Sequence, residues 1–221
     1  TPKTLALSGV LLAVPLFLIL EQPDLKNTIT VVVIFCIMIY IAGLSYKIIG
    51  GALLIAVPLL IIFLSIVVQP DQKLLKDYQR SRIMSFLYPE NEEYSDDIEQ
   101  QNNSKTAIAS GELVGKKLRG DDSTTSVNQG NFVAENQTDF IFAVAGEEFG
   151  FIGTVFIISM YMIIIWRGIA IALDADDTFG MLLATGVTSM FMFHVMVNIG
   201  MTAGIMPVTG VPLPFLSYGV S

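Results

Sequence analysis

The chain has 221 residues, 53% of them hydrophobic and only 14% charged. Soluble domains carry about 25% charged residues, so this composition belongs to an integral membrane protein and excludes an ordinary soluble enzyme. The net charge of −8 argues against a nucleic-acid partner.

The acidity is local: twelve of the 20 acids fall between Asp71 and Glu135. Cys36 is the only cysteine, so no intrachain disulfide and no Cys/His metal cluster is possible. The chain starts at Thr1 close to a span and stops at Ser221 within a motif, which reads as an internal piece of a larger protein.

A spanning helix needs about 20 apolar residues. Three candidates fill residues 1–68: Leu5–Leu20, Thr28–Tyr46 and Gly51–Val68. Pro15 and Pro58 fall inside them, which membrane helices tolerate. Residues 69–138 form one large polar loop. Within it, Asp71–Pro89 mixes Leu, Ile, Met and Phe with Lys73, Lys76, Arg80 and Arg82, a pattern for a surface helix meeting anionic headgroups. Glu90–Asn103 is acidic and rich in Asn and Gln, the composition of a mobile segment. Ala107–Gly120 is punctuated by glycine and carries Lys116, Lys117 and Arg119; Asp121–Gly130 is turn-like.

Residues 139–199 hold a re-entrant or lead-in stretch, Phe140–Gly146, and two further spans, Phe149–Trp166 and Phe179–Ile199. Residues 200–221 complete a Gly/Pro-rich tail that begins at Asn198 and cannot be a regular helix. Irregular apolar backbone at a membrane edge must be buried in protein or line a polar cavity. The expected fold is therefore an all-α polytopic helical bundle of five spans with one large extracytoplasmic loop. Lys3, Lys47 and Arg167 lie on one side and Lys26 on the other, which places the large loop and the tail outside the cell.

The chemistry centres on Gln137–Gly150. Asp139 stands where the polar loop meets an apolar helix, and Glu147 and Glu148 follow within the apolar run. A charge in a span costs about 2.5–3.5 kcal/mol on insertion scales, so it is kept for a purpose. For Glu147 and Glu148 a structural role with buried partners is expected. His194 fits interhelical hydrogen bonding rather than catalysis. Asp139 suits either a helix cap or a general base that benefits from partial desolvation. Glu135 is placed to support it or share its proton. Lys116, Lys117 and Arg119 are candidate anion contacts, with Lys as a point charge and Arg as a bidentate fork.

The tail Asn198–Ser221 follows the pattern NxGMxxGxxPVTGxPLPFxSYGxS. Together with Thr138-Asp-Phe-Ile-Phe, Gly146-Glu-Glu-Phe-Gly150, Gln22-Pro-Asp-Leu25, Gly43-Leu-Ser-Tyr-Lys47, Ser110-Gly111 and Gly115-Lys116, it resembles the SEDS family (RodA, FtsW, SpoVE) along the whole chain. Departures are Lys26, Lys117, Ala109 and Val220, where the family usually has Gly, Gln137 where His is common, and Glu99-Gln100 where Tyr-Gln is common.

The resemblance implies a ten-span fold, of which this chain carries spans five to nine. It also implies an inverting peptidoglycan glycosyltransferase in a bacterial inner or plasma membrane, with its site facing outside. Lipid II would be polymerised from a polyprenyl-pyrophosphate-linked glycan, for elongation, division or sporulation. The partner would be a class B penicillin-binding transpeptidase. Asp139 corresponds to the family's essential aspartate. Ser110, Gly111, Pro207, Thr209, Gly210, Ser217 and Tyr218 join the three basic residues as substrate contacts. A divalent cation such as Mg2+ would bridge the pyrophosphate. The competing readings are a flippase for the lipid-linked precursor and a non-catalytic scaffold for the transpeptidase.

Overall fold

A computed structural model describes residues 2–22, 24–69, 72, 75–119 and 138–218. Five apolar helices form its frame: α1 (Pro2–Glu21), α2 (Leu25–Ile41), α3 (Tyr46–Val67), α7 (Ile141–Leu173) and α8 (Thr178–Thr202). The polar insertion between α3 and α7 contributes α4 (Asp77–Leu87), a 3₁₀ turn (Glu92–Tyr94), α5 (Ser95–Ser110) and the short α6 (Lys116–Arg119). No strand occurs among the described residues. The chain is an all-helical polytopic membrane protein. α3, α7 and α8 are long and apolar enough to cross a membrane, whereas α1 and α2 are apolar but shorter in their described parts.

Local chemistry sets the helix starts. Asp24 caps α2 by accepting from the Asn27 amide at 3.1 Å, and Asp177 caps α8 by accepting from the Gly180 amide at 3.2 Å. Each satisfies a donor that the first turn leaves without a helical partner. Leucine, isoleucine and valine on α1 and α3 stay largely exposed, Leu54 at 76%. In a membrane these faces meet lipid or further spans. The packed centre lies instead between α7, α8 and the tail, where Phe142, Tyr161, Val195 and Leu213 form a buried cluster.

The lead-in and the fourth span are one element with a break. α7 is helical on both sides of Gly150, whose φ of 65° and ψ of −164° leave the helical region. The break separates the amides of Phe151 and Ile152 from their helical acceptors. They donate instead to the Glu112 and Leu113 carbonyls of the insertion, at 2.8 and 3.1 Å. Only glycine fits here, because a Cβ on Gly150 would lie 2.4 Å from the Gly115 nitrogen.

Two expectations need correction. The acidic Glu90–Asn103 stretch is mostly ordered helix: α5 starts at Ser95, buries Ser104 and Ala107, and packs against α7 and α8. Composition alone missed this because the buried groups of α5 are small or hydrogen-bonded rather than large and apolar. The tail, in turn, is helical at its start, since α8 continues to Thr202 before the irregular path begins. A helix forms within Asp71–Pro89 as α4, with Gln79, Met84 and Ser85 buried.

Candidate functional site

The irregular tail after α8 is satisfied by side chains of surrounding elements. Gln101 of α5 donates to the Met201 and Met206 carbonyls at 3.1 and 2.9 Å, and Ser104 donates to Thr202 at 3.0 Å. Tyr161 of α7 donates to the Pro214 carbonyl at 2.7 Å. Ser217 accepts from the Leu213 amide and donates to the Thr138 carbonyl, both at 2.7 Å. Around Val208, Val211 and Leu213 the non-helical chain is therefore buried against protein, the condition under which membrane proteins tolerate it.

Asn198 joins the tail to the start of α7. It is fully buried, and its Nδ2 donates to the Asp139 carbonyl at 2.8 Å and to the Val211 carbonyl at 2.7 Å. Two backbone segments are thus fixed by one amide, and Asp139 is held at the turn that leads into the helix. Its carboxylate reaches Gly210, a residue with φ of +70°. A Cβ on Gly210 would lie 3.0 Å from Asp139 Oδ2 and 3.3 Å from Arg82 Nη1. Glycine therefore leaves room for a carboxylate and a guanidinium to converge on the same point.

Beside this point lies a cavity of about 500 Å³, lined by α2, α4 and the tail. Lys26, Arg82, Pro207 and Thr209 contribute to its wall, with Ile29, Ile83 and Val208 as its apolar part. Lys26 Nζ also donates to the Gly210 carbonyl at 2.9 Å. A carboxyl group, two basic side chains and an apolar wall therefore adjoin one glycine, an arrangement suited to an amphiphilic, negatively charged ligand.

The expected contacts divide into two groups. Asp139, Pro207, Thr209, Gly210 and Ser217 gather around the tail and the start of α7. Within this group Thr209 directs its hydroxyl to Met201 Sδ at 3.6 Å, and Ser217 is used to brace Thr138. Tyr218 is 78% exposed at the end of the described tail. The insertion residues lie further along α7. Lys116 forms an ion pair with Glu147 at 2.7 Å, in which the carboxylate is 1% exposed. Lys117 faces Glu148 at 3.4 Å and lies over the Phe149 ring, 5.4 Å from its centroid.

Ser110 donates to the Ala107 carbonyl. Gly111 is buried, and a Cβ there would meet the Gly146 carbonyl at 2.0 Å. These residues dock the insertion on α7, and Lys116 and Lys117 both have carboxylates opposite them. Glu147 is buried with a basic partner, which the insertion supplies, whereas the Glu148 side chain is partly exposed and faces an exposed Lys117, so the expectation of a buried partner does not hold for it. Glu135 and the side chain of Arg119 lie outside the described part.

Lys26 and Arg82 were not among the expected substrate contacts. The signal for Lys26 was its position: one basic residue directly after Gln22-Pro-Asp-Leu25, at the foot of an apolar helix. Arg82 was read as a headgroup contact together with Arg80. The structure separates the two, since Arg80 Nε donates to the Val67 carbonyl at the end of α3, at 3.2 Å. No group of three or more His, Cys, Asp or Glu side chains that could hold a metal ion occurs among the described residues.

The family model for the FtsW/RodA/SpoVE cell cycle proteins matches residues 2–221. The chain is 39% identical over 223 residues to peptidoglycan glycosyltransferase MrdB of Escherichia coli K12, covering 99% of this chain and 56% of that protein. It is 40% identical over 205 residues to stage V sporulation protein E of Bacillus subtilis, covering 92% of this chain and 52% of that protein. It thus spans about half the length of the curated relatives it matches. A solved structure concerning the coordination of polymerization and crosslinking by a peptidoglycan synthase complex superposes with a TM-score of 0.74. That match is 29% identical and covers 97% of this chain and 55% of the solved one.

Proposed function

We propose a reaction from one premise: the chain belongs to the FtsW/RodA/SpoVE family of cell cycle proteins. The reaction is peptidoglycan glycosyl transfer, and this chain supplies the base and part of the substrate cavity. The names of the glycosyltransferase relatives support the reaction class. The observation that carries the assignment to residues is the convergence of Asp139 Oδ2 and the Arg82 guanidinium at Gly210, on the rim of the cavity.

In this reading Asp139 accepts the proton of the acceptor sugar's hydroxyl as that oxygen attacks the anomeric carbon of the donor. The glycosyl–oxygen bond breaks on the opposite face, and the polyprenyl diphosphate departs with the electron pair. The anomeric configuration inverts. The acceptor is lipid II, and the donor is a glycan on a polyprenyl diphosphate. The protein lies in the bacterial inner or plasma membrane with the cavity facing outside. A class B penicillin-binding transpeptidase works beside it. The neighbouring synthase complex supports a partner of that type.

The test is Asp139→Asn in the full-length protein, with lipid II polymerisation followed in detergent. Loss of a positioned base lowers the rate by about 10²–10⁴-fold, while the Asn198 bond to the Asp139 backbone carbonyl is kept. Polymerisation at the wild-type rate in this variant would remove Asp139 as the base, whereas no polymerisation by the unsubstituted protein would favour a transporter or a scaffold.

A further inference from the structure

Two cations in the cavity wall have no assigned work. Lys26 and Arg82 take part in neither of the two ion pairs found among the described residues, whereas Lys116 and Lys117 each face a glutamate. Lys26 sits in the first turn of α2 and spends one donor on the Gly210 carbonyl. An ammonium has three donors, so two remain. Arg82 comes from α4 and approaches Gly210 beside Asp139. Asp24 is the acid in the same wall, and both its oxygens are engaged by Asn27, through the amide at 3.1 Å and Nδ2 at 2.7 Å.

We infer that Lys26 and Arg82 together form the anion site of this cavity and that it holds a lipid-borne diphosphate. Two cations from separate helices match a group with two linked phosphates better than a single charge. The fork of Arg82 grips one phosphate in bidentate fashion, and Lys26 neutralises the other as a point charge. Ile29, Ile83 and Val208 offer an apolar surface to the first units of the lipid. The choice of diphosphate rests on the glycosyltransferase reading, whereas the pairing of the cations rests on the cavity.

The experiment measures binding, not turnover. The full-length protein is placed in phosphatidylcholine nanodiscs and titrated with undecaprenyl diphosphate. Lys26→Gln and Arg82→Gln each weaken binding by about tenfold or more, the range for hydrogen bonds to charged groups. Lys26→Arg restores most of it, which a purely structural lysine would not require of the ligand.

Unchanged affinity in both Gln variants overturns the site. A second arm uses phosphatidylglycerol nanodiscs. If phosphatidylglycerol displaces the diphosphate through the same two residues, the site belongs to headgroups and the proposal fails. An active Asp139→Asn enzyme would end the base assignment but leave this binding result intact.

Discussion

Lys116 and Glu147 form a 2.7 Å ion pair in which the lysine is 14% and the glutamate 1% exposed. One residue starts a short helix of the insertion, and the other lies within an apolar membrane helix. Glu147 can remain charged among apolar neighbours because its partner descends from the insertion. Removing one member takes its opposite charge from the other at a buried position, at a cost of about 3–5 kcal/mol. Lys116→Ala should therefore lower stability sharply in detergent unfolding, whereas Lys116→Ala combined with Glu147→Ala should recover much of the loss. A double-mutant cycle on the unfolding midpoint measures the difference.

Gly150 lets α7 break and pass beside Gly115. Gly150→Ala puts a side chain on a backbone conformation essentially confined to glycine, about 1–3 kcal/mol, at a contact 2.4 Å from backbone. Overpacking of that kind adds about 1–3 kcal/mol. The expected outcome is a clear drop in thermal stability and in yield of folded protein, read by fluorescence-detected size exclusion after heating.

Asn198 ties two carbonyls with one amide. Asn198→Leu keeps a similar volume but leaves the Asp139 and Val211 carbonyls without that donor. Each unpaired buried group costs about 1–3 kcal/mol. Because one of them belongs to Asp139, polymerisation should fall together with stability. Tyr161→Phe is the contrast: it loses the 2.7 Å bond to the Pro214 carbonyl, costs about 1 kcal/mol, and leaves Asp139 in place.

Gly210→Ala tests the convergence of charges directly. The new methyl would sit 3.0 Å from Asp139 Oδ2 and 3.3 Å from Arg82 Nη1, on a residue with φ of +70°. Displacement of a reacting group by about 1 Å can cost 10²-fold in rate. The turnover number should fall by about that factor in a lipid II polymerisation assay.

Much of this arrangement was legible in the chain itself. Apolar runs of membrane length mark the five frame helices, and Asp139 stands out because a carboxylate at the head of such a run is unusual. The Gly/Pro content of the tail announced an irregular cavity wall, and the tail lines the cavity through Pro207, Val208 and Thr209. Other features were hidden for physical reasons. Whether a lysine meets substrate or a glutamate depends on pairing across the fold, which spacing does not encode; Lys116 and Glu147 are 31 positions apart. Lys26 and Gly210 are 184 apart. α5 was obscured because its contacts are polar and small, as Gln101 and Ser104 illustrate, and Arg80 and Arg82 were indistinguishable by type.

The interruption in α7 also bears on biosynthesis. The Glu112 and Leu113 carbonyls leave the ribosome before the amides of Phe151 and Ile152 that they receive. The bent form of the later helix therefore requires an earlier segment to be waiting at the bilayer. Until the two meet, that helix is left with a straight alternative in which the amides of Phe151 and Ile152 are satisfied within it. Deuterium uptake at Phe151 and Ile152 should therefore report on seating of the insertion rather than on fraying of the helix, and shortening the insertion should straighten a rod that it never crosses.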